Sequence, residues 1–472
     1  MLSFKVCDRS NRRGDPVKKL DLVSILLICL VLSPQLFAQS AFLWERQKDF
    51  SGGFDLLRSV TTVGDNAVTA GNVSVIGGLD LAILNYGSQG DIRWSDQSPL
   101  FAGVNTNVFT AAVGDLAFVA AYNSIVPNDS DIVISGYNAV TGKIVWRKIF
   151  GKGKDDLPQG LAASPSAVVV VGYGGNTSTP PITALNALIR AYDPVTGEML
   201  WEDQVDKGDS IDDIAWTVCI EGDRVLVAGT TNAVGLSRNM ILRAYHARTG
   251  ALLWEAQRVN VSPTAITARL DCVFVAGSNN VSNLYMAAFN AKTGGLIWED
   301  ASTPGLFRDV QLQNELLVGV GSSRNGSLVR VYETTNGKVV WQHVTTPQPG
   351  YKQSLSAVAL SANVAYVTGL SGQDFVFTEF LVRAYNLSNG NILFDERSHR
   401  NAESGSAGLD VAVSATRVYA VGWASDAGSA DFLIRAYDRD RIDSPRRLWT
   451  LQLQTSHEGI DGYSSLAERS IP

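Results

Sequence analysis

An all-β fold is predicted by three observations. An eleven-residue pattern, complete at Ala191-Tyr192-Asp193-Pro194-Val195-Thr196-Gly197-Glu198-Met199-Leu200-Trp201, recurs in eight copies along the chain. From Trp94 to Trp449 the copies advance by about 51 residues each, the size of a small sheet unit. The chain carries 43 glycines, 45% apolar and only 18% charged residues, and no long amphipathic helical period follows the N-terminal region. Together these predict a β-propeller of eight four-stranded antiparallel blades, with seven, or nine made from split pieces, as alternatives.

Each element has a local reason. Leu188, Ile189, Ala191 and Tyr192 suit a mostly buried strand, and Asp193 to Gly197 supply turn chemistry with a glycine where φ is positive. Met199, Leu200 and Trp201 begin the return strand. A hairpin this short cannot bury both faces alone, so it needs neighbouring copies. Between each Trp and the next hairpin lie two more strands, such as 214–218 with 224–229, and 410–413 with 417–422, the second of each pair ending in Gly.

Taken in order, Phe42-Leu43-Trp44-Glu45 reads as a return strand whose hairpin partner is missing. Copies follow at Asn85 to Trp94, Gly136 to Trp146, Ala191 to Trp201, Ala244 to Trp254, Ala288 to Trp298 and Val331 to Trp341. The seventh, Ala384 to Phe394, ends in Phe; the eighth, Ala436 to Trp449, replaces the tight turn by a charged insertion, 438–447. Glu458 to Tyr463 resembles an innermost-strand opening, which with Trp44 would let the termini meet.

Residues 1–40 differ in kind. Six basic side chains precede the apolar run 22–32, then Ser33-Pro34 and the small-residue stretch Ala38-Gln39-Ser40-Ala41. This is the pattern of a secretory signal peptide, cleaved after Ala38 or Ser40, with an apolar run too short for a comfortable membrane span. Gly14-Asp15-Pro16 argues against a twin-arginine signal at Arg12-Arg13, and Ile28 before Cys29 argues against a lipid anchor. A secreted or periplasmic single-domain propeller over 41–472 is expected, without a stable membrane span after cleavage. Cleavage would take the formal net charge from −7 to −10, which disfavours nucleic acid and anionic membrane surfaces as partners. Cys219 and Cys272 would remain, read as two buried strand thiols with a disulfide as the alternative.

Ala, Gly and Trp at positions one, seven and eleven resemble the tryptophan-docking motif of the quinoprotein dehydrogenase propellers and their non-catalytic relatives. Residues 191–201, 244–254 and 288–298 match all three positions. The resemblance implies that each Trp is sandwiched between its own Ala and the Gly peptide of an adjacent blade, a staple rather than a ligand platform. It also implies pyrroloquinoline quinone (PQQ), Ca²⁺ and an adjacent cysteine pair in catalytic members. No two cysteines are adjacent here, C-x-x-C-H is absent, and no carboxylates can be matched to the calcium ligands, so no catalytic, cofactor or metal residue is assigned.

The remaining candidates are acidic. Asp55, Asp213, Asp309 and Asp410 begin inner strands, and facing the axial funnel they would form a ring attracting a cation or basic peptide; otherwise they cap turns. Asp206, Asp209, Asp212 and Asp213 cluster without Ca²⁺-loop order, and His246, His343, His399 and His457 lack metal-ligand spacing. Arg190, Arg243, Arg330, Arg383 and Arg435 precede the motif, while Glu45, Glu202, Glu255 and Glu299 follow the Trp; they read as interblade ion pairs. The function expected is a monomeric, non-catalytic platform for a protein or peptide. Its nearest analogue is the propeller subunit of the bacterial outer-membrane β-barrel assembly machinery, which is a lipoprotein; a quinone- and Ca²⁺-dependent dehydrogenase is the alternative.

Overall fold

Two central strands of each blade explain why the apolar pattern is continuous rather than alternating. Val168 to Val171 and Ala187 to Ile189 are all at most 2% exposed, because blades on both sides cover both faces of the sheet. The outer strand Met199–Val205 alternates instead, with Trp201 buried between exposed or half-buried neighbours.

The computed structural model describes residues 40–50, 53–75, 78–99, 107–126, 129–151, 155–175, 185–208, 212–232, 238–324, 326–345, 351–373, 377–398, 405–426 and 429–443. Eight four-stranded antiparallel sheets are present. Seven are contiguous: blade 1 (56–99), blade 2 (109–150), blade 3 (157–205), blade 4 (213–258), blade 5 (261–300), blade 6 (305–345) and blade 7 (351–398). Neighbouring innermost strands touch all round the ring, including Leu56–Val63 against Ser406–Val413, which closes it.

Blade 8 corrects the sequence reading. Its inner three strands span 406–438, but its outer strand is Phe42–Lys48, with Trp44 opposite Ala436. The unpaired N-terminal strand thus finds its missing partner at the other end of the chain. The expected return strand at Trp449 and the expected opening at 458–463 lie outside the described residues, as do residues 1–39 of the segment expected to be a signal peptide.

The repeated hairpin is built as its residues require. Asp193 Oδ1 accepts the Val195 and Thr196 N–H groups, each at 3.0 Å, and Gly197 turns the chain at φ 67°. The Thr196 N–H bond is the main reason the Asp193 carboxyl sits below the usual carboxylate range. Trp201 then lies opposite Ala191 in its own blade, stacks on Tyr245 of the next at 5.3 Å, and donates Nε1–H to Ala247 O at 2.7 Å. A Cβ on Gly250 would meet Trp201 Cγ at 2.6 Å, so only glycine admits the ring.

Trp44, Trp94, Trp146, Trp254, Trp298 and Trp341 donate in the same way to Ser88, Ala139, Pro194, Ala291, Thr334 and Leu387. Each such indole buries on the order of 150–250 Å² between blades. At the blade 7–8 junction the pattern breaks on both sides. Phe394 replaces Trp, and the one-turn helix Arg439–Asp443 replaces the glycine turn, burying Ile442 in the same cluster as Phe394.

The charged recurrences follow their expected interblade pairing only in part: Glu299 pairs with Arg258 of the preceding blade at 3.7 Å, but the other glutamates do not cross to the arginines that precede the motif. Glu202, Glu255 and Glu45 pair with Arg190, Arg243 and Arg435 across strands of the same blade. The acid that crosses between blades stands two residues after the Trp or Phe. Asp96, Asp203, Asp300 and Glu396 accept the hydroxyls of Tyr137, Tyr245, Tyr332 and Tyr437 in the following blade, at 2.7, 2.7, 2.9 and 3.5 Å. They also pair with Arg147, Arg243, Arg330 and Arg435.

These four junctions are 1–2, 3–4, 5–6 and 7–8. At the intervening ones Lys148, Ala256, His343 and Arg46 hold the same position. An acid thus occupies this position at every second junction, although His343 also reaches the tyrosine hydroxyl of its following blade.

Candidate functional site

The innermost strands border the axis, and they share one irregularity. In seven blades the register shifts at the same place, between Leu57 and Ser59, Pro158 and Gly160, Ala215 and Thr217, Pro263 and Ala265, Phe307 and Asp309, Leu355 and Ala357, and Gly408 and Asp410. Each shift is a β-bulge, and its extra residue is released from pairing. The second strand allows it with a glycine: a Cβ on Gly229 would run into the Ile214 carbonyl of the bulged strand. The sequence showed that glycine but not the bulge facing it.

The bulge residues are chemically diverse. They are Arg58, Gln159, Trp216, Thr264, Arg308, Ser356 and Leu409. Arg308 and Thr264 are exposed and the others half-buried. Trp216 is fixed by its Nε1–H to Thr230 Oγ1 at 2.8 Å, and Thr264 donates to Phe307 O at 2.7 Å. Burial pushes the Arg58 guanidinium below its ordinary value. Blades that repeat one another at the rim thus differ at the axis.

The four expected aspartates separate into two pairs. Asp55 and Asp213 sit at the heads of their strands, 0% and 1% exposed. Asp55 accepts Phe50 N–H at 2.8 Å and Ser74 N–H at 2.7 Å; Asp213 accepts Lys207 N–H at 2.6 Å. They pin the incoming loop. Asp156 holds the matching place in blade 3: its N–H donates to Ser130 O of blade 2, as Asp55 N–H donates to Ala430 O of blade 8. The sequence pattern did not single out Asp156.

Asp309 and Asp410 stand immediately after the bulge and reach sideways. Asp309 Oδ2 accepts Val358 N–H of blade 7 at 2.9 Å, and Asp410 Oδ2 accepts Val60 N–H of blade 1 at 2.9 Å and Ser59 Oγ–H at 3.0 Å. Ser59 continues the series by accepting Thr110 N–H of blade 2 at 3.2 Å. Burial pushes the Asp309 carboxyl up to about 7, with repulsion from Asp410 adding to it, and burial raises Asp410 as well. This second pair is electrostatically coupled; the first is held apart from it at the strand heads.

Other candidates resolve locally. Asp206 accepts Gly208 N–H within the loop leading into blade 4, Asp212 of the same loop accepts Leu185 N–H of blade 3, and Asp209 lies outside the described residues. His343 meets the Tyr385 hydroxyl at 2.8 Å and burial lowers its pKa; His246 accepts the Thr249 N–H in a turn. His399 and His457 lie outside the described residues. Cys219 and Cys272 are free thiols on strands of blades 4 and 5. Among the described residues no three His, Cys, Asp or Glu side chains are grouped to hold a metal ion. No described helix is long and apolar enough to cross a membrane.

Comparison with known proteins places this geometry. A quinohemoprotein alcohol dehydrogenase, ADHIIG from Pseudomonas putida HK5, shares the fold at TM-score 0.56 and 12% identity, over 85% of this chain and 78% of that one. The computationally designed protein Ika8 matches at TM-score 0.54 and 13% identity, over 83% and 98%. The Dos1 propeller matches at TM-score 0.54 and 11% identity, over 84% and 95%. No curated protein matches the chain. The family profile described as outer membrane protein assembly factor BamB matches residues 41–241 and 237–460. With that match over most of its length, the chain belongs to the BamB family of PQQ-like propellers.

Proposed function

We propose that the protein is a non-catalytic binding platform, secreted or periplasmic, that offers the mouth of its axial channel to a protein or peptide partner. The observation that carries this reading is the division of labour within the repeat. Trp201, Gly250, Tyr245 and their counterparts are spent on holding blades together. The bulges at the axis differ from blade to blade, with Arg58, Gln159, Trp216 and Arg308 at corresponding positions of different blades. A fixed frame with variable residues at one rim suits recognition of an extended or irregular surface. The family description, an outer membrane protein assembly factor, supports a protein as the partner. The acidic character of the chain favours a basic segment at the contact.

The test combines a binding and a chemical assay. Capture from an envelope extract should recover a defined partner, and a variant with Asp309→Asn and Asp410→Asn should recover less of it. Partner recovery unchanged by the variant would remove the two aspartates from the contact. Uptake of PQQ in the presence of Ca²⁺, with oxidation of an alcohol or aldose sugar, would replace the platform by an oxidoreductase.

A further inference from the structure

Three polar side chains of blades 1 and 2 are withdrawn from water and unmatched near the axis. Asn72 is 1% exposed, and neither its Oδ1 nor its Nδ2 has a hydrogen bond among the described residues. Asn123 is 7% exposed, and its Oδ1 is equally unmet. Among the described arginines, Arg58 alone is half-buried with neither a hydrogen bond nor an ion pair, and its Nε is shut off from water. Buried polar groups are ordinarily paired, so three unmatched ones on adjacent blades call for a partner from outside the chain.

The strands aim these groups at one cleft. In blade 1, Val68 and Ala70 pack on Ala117, Val119 and Ala121 of blade 2, whereas Ala67 and Val73 pack on blade 8. Side chains alternate along a strand, so Asn72 follows Val68 and Ala70 toward blade 2, and Asn123 follows Val119 and Ala121 toward blade 1. Leu57 packs toward blade 8, which turns the next residue, Arg58, to the blade 2 side. Leu56 stands opposite Asn72 and Leu57 opposite Gly71, so Arg58 and Asn72 come from neighbouring levels of one sheet. Ser59 spans the cleft beside Arg58, its Oγ 2.9 Å from Thr110 Oγ1 of blade 2.

Nothing in the chain neutralises Arg58. Asp410, the acid that reaches this strand, is spent on Ser59 Oγ–H and Val60 N–H. Burial alone acts on the guanidinium, with no carboxylate to offset it. The unmet groups then specify a ligand. The guanidinium calls for an anionic acceptor. The Asn72 amide presents an acceptor as well as a donor whichever way it is turned, so the ligand must carry an N–H beside its anion. The last residue of a peptide has both, a carboxylate and its own N–H.

We propose that Arg58, Asn72 and Asn123 form a subsite for the C-terminal end of a peptide, with the carboxylate on Arg58 and the last peptide N–H groups on the asparagines. The assignment rests on the reading of the axis as the binding face and adds that the partner enters it by a free chain end.

The test uses two pools of random N-acetylated hexapeptides, one with free C-terminal carboxylates and one with C-terminal amides, each passed over the immobilised full chain. The wild type should retain the acid pool about tenfold better than the amide pool, the worth of one charged hydrogen bond. Arg58→Gln should abolish that preference and Asn72→Ala should reduce it. Because Arg58 has no partner to lose, Arg58→Gln should leave the melting temperature unchanged or raise it. Equal retention of both pools by the wild type overturns the proposal, as does an acid preference that survives Arg58→Gln or a melting temperature that falls in that variant. Displacement of the acid pool by equimolar acetate would assign the subsite to small carboxylates and overturns it too. Equal capture of a protein partner from envelope extract by the wild type and Arg58→Gln, with no preference between the pools, sinks the subsite alone and leaves the platform standing.

Discussion

Tyr245 of blade 4 donates its hydroxyl to Asp203 of blade 3 at 2.7 Å, beside Arg243, which pairs with the same carboxylate at 3.0 Å. The hydroxyl belongs to a ring that also stacks on Trp201, so one residue joins the aromatic and the polar contact of the junction. A buried hydroxyl bonded to a charged acceptor is worth about 1.5–3 kcal/mol, more than an exposed ion pair. Tyr245→Phe should therefore destabilise the protein by about that amount. In a double-mutant cycle with Asp203→Asn, measured by denaturant unfolding, the two effects should be coupled rather than additive.

Glycines at positive φ separate backbone strain from docking. Gly222 has φ 60° and open space around its Cβ direction, whereas Gly250 has φ 70° and the Trp201 ring against it. Gly222→Ala should cost about 1 kcal/mol, the strain of the left-handed conformation alone. Gly250→Ala should cost clearly more, because the indole must leave its seat. Comparable losses at the two sites, measured by thermal melting, would mean that the Trp–Gly contact adds nothing.

The Asp309 carboxyl gives the protein a pH dependence of known sign. Folding raises it from an ordinary value of 3.8 to about 7, so between those limits the folded state binds more protons than the unfolded one. Its contribution to stability is complete below about pH 4 and is lost as pH rises through 7. Carboxyls held below the usual range, such as Asp193, act in the opposite sense at lower pH and fall outside this window. Asp309→Asn should flatten the fall in melting temperature between pH 5 and 8. A variant profile parallel to the wild type would assign that fall to other groups.

The repeat was legible because its signal is local. Ala191, Gly197 and Trp201 lie within one hairpin, and their spacing announces both the turn and the docking. The partner of Phe42–Lys48 was not legible in this way: Trp44 and Ala436 stand opposite each other yet are far apart in sequence. Asp55 and Asp309 looked alike as acids opening inner strands, yet Asp55 precedes its bulge and Asp309 follows it. That offset sends one carboxylate to its own incoming loop and the other to the next blade. The bulge residues escaped notice because nothing in Trp216 or Arg308 itself marks an unpaired position; the glycine on the facing strand does. The alternation of Asp96, Lys148, Asp203 and Ala256 two residues after the Trp was present in the sequence, but its meaning required the tyrosines of the following blades.

The central claim is that recognition occurs at the axis and the repeated rim serves cohesion. A photo-crosslinking side chain introduced at Arg308, exposed on its bulge, and separately at Leu252, exposed on the outer strand of blade 4, tests it most directly in cells carrying the full chain. Defined protein adducts from position 308, reduced when Asp309→Asn and Asp410→Asn are added, with none from position 252, are the predicted result. Adducts from position 252 alone would contradict it.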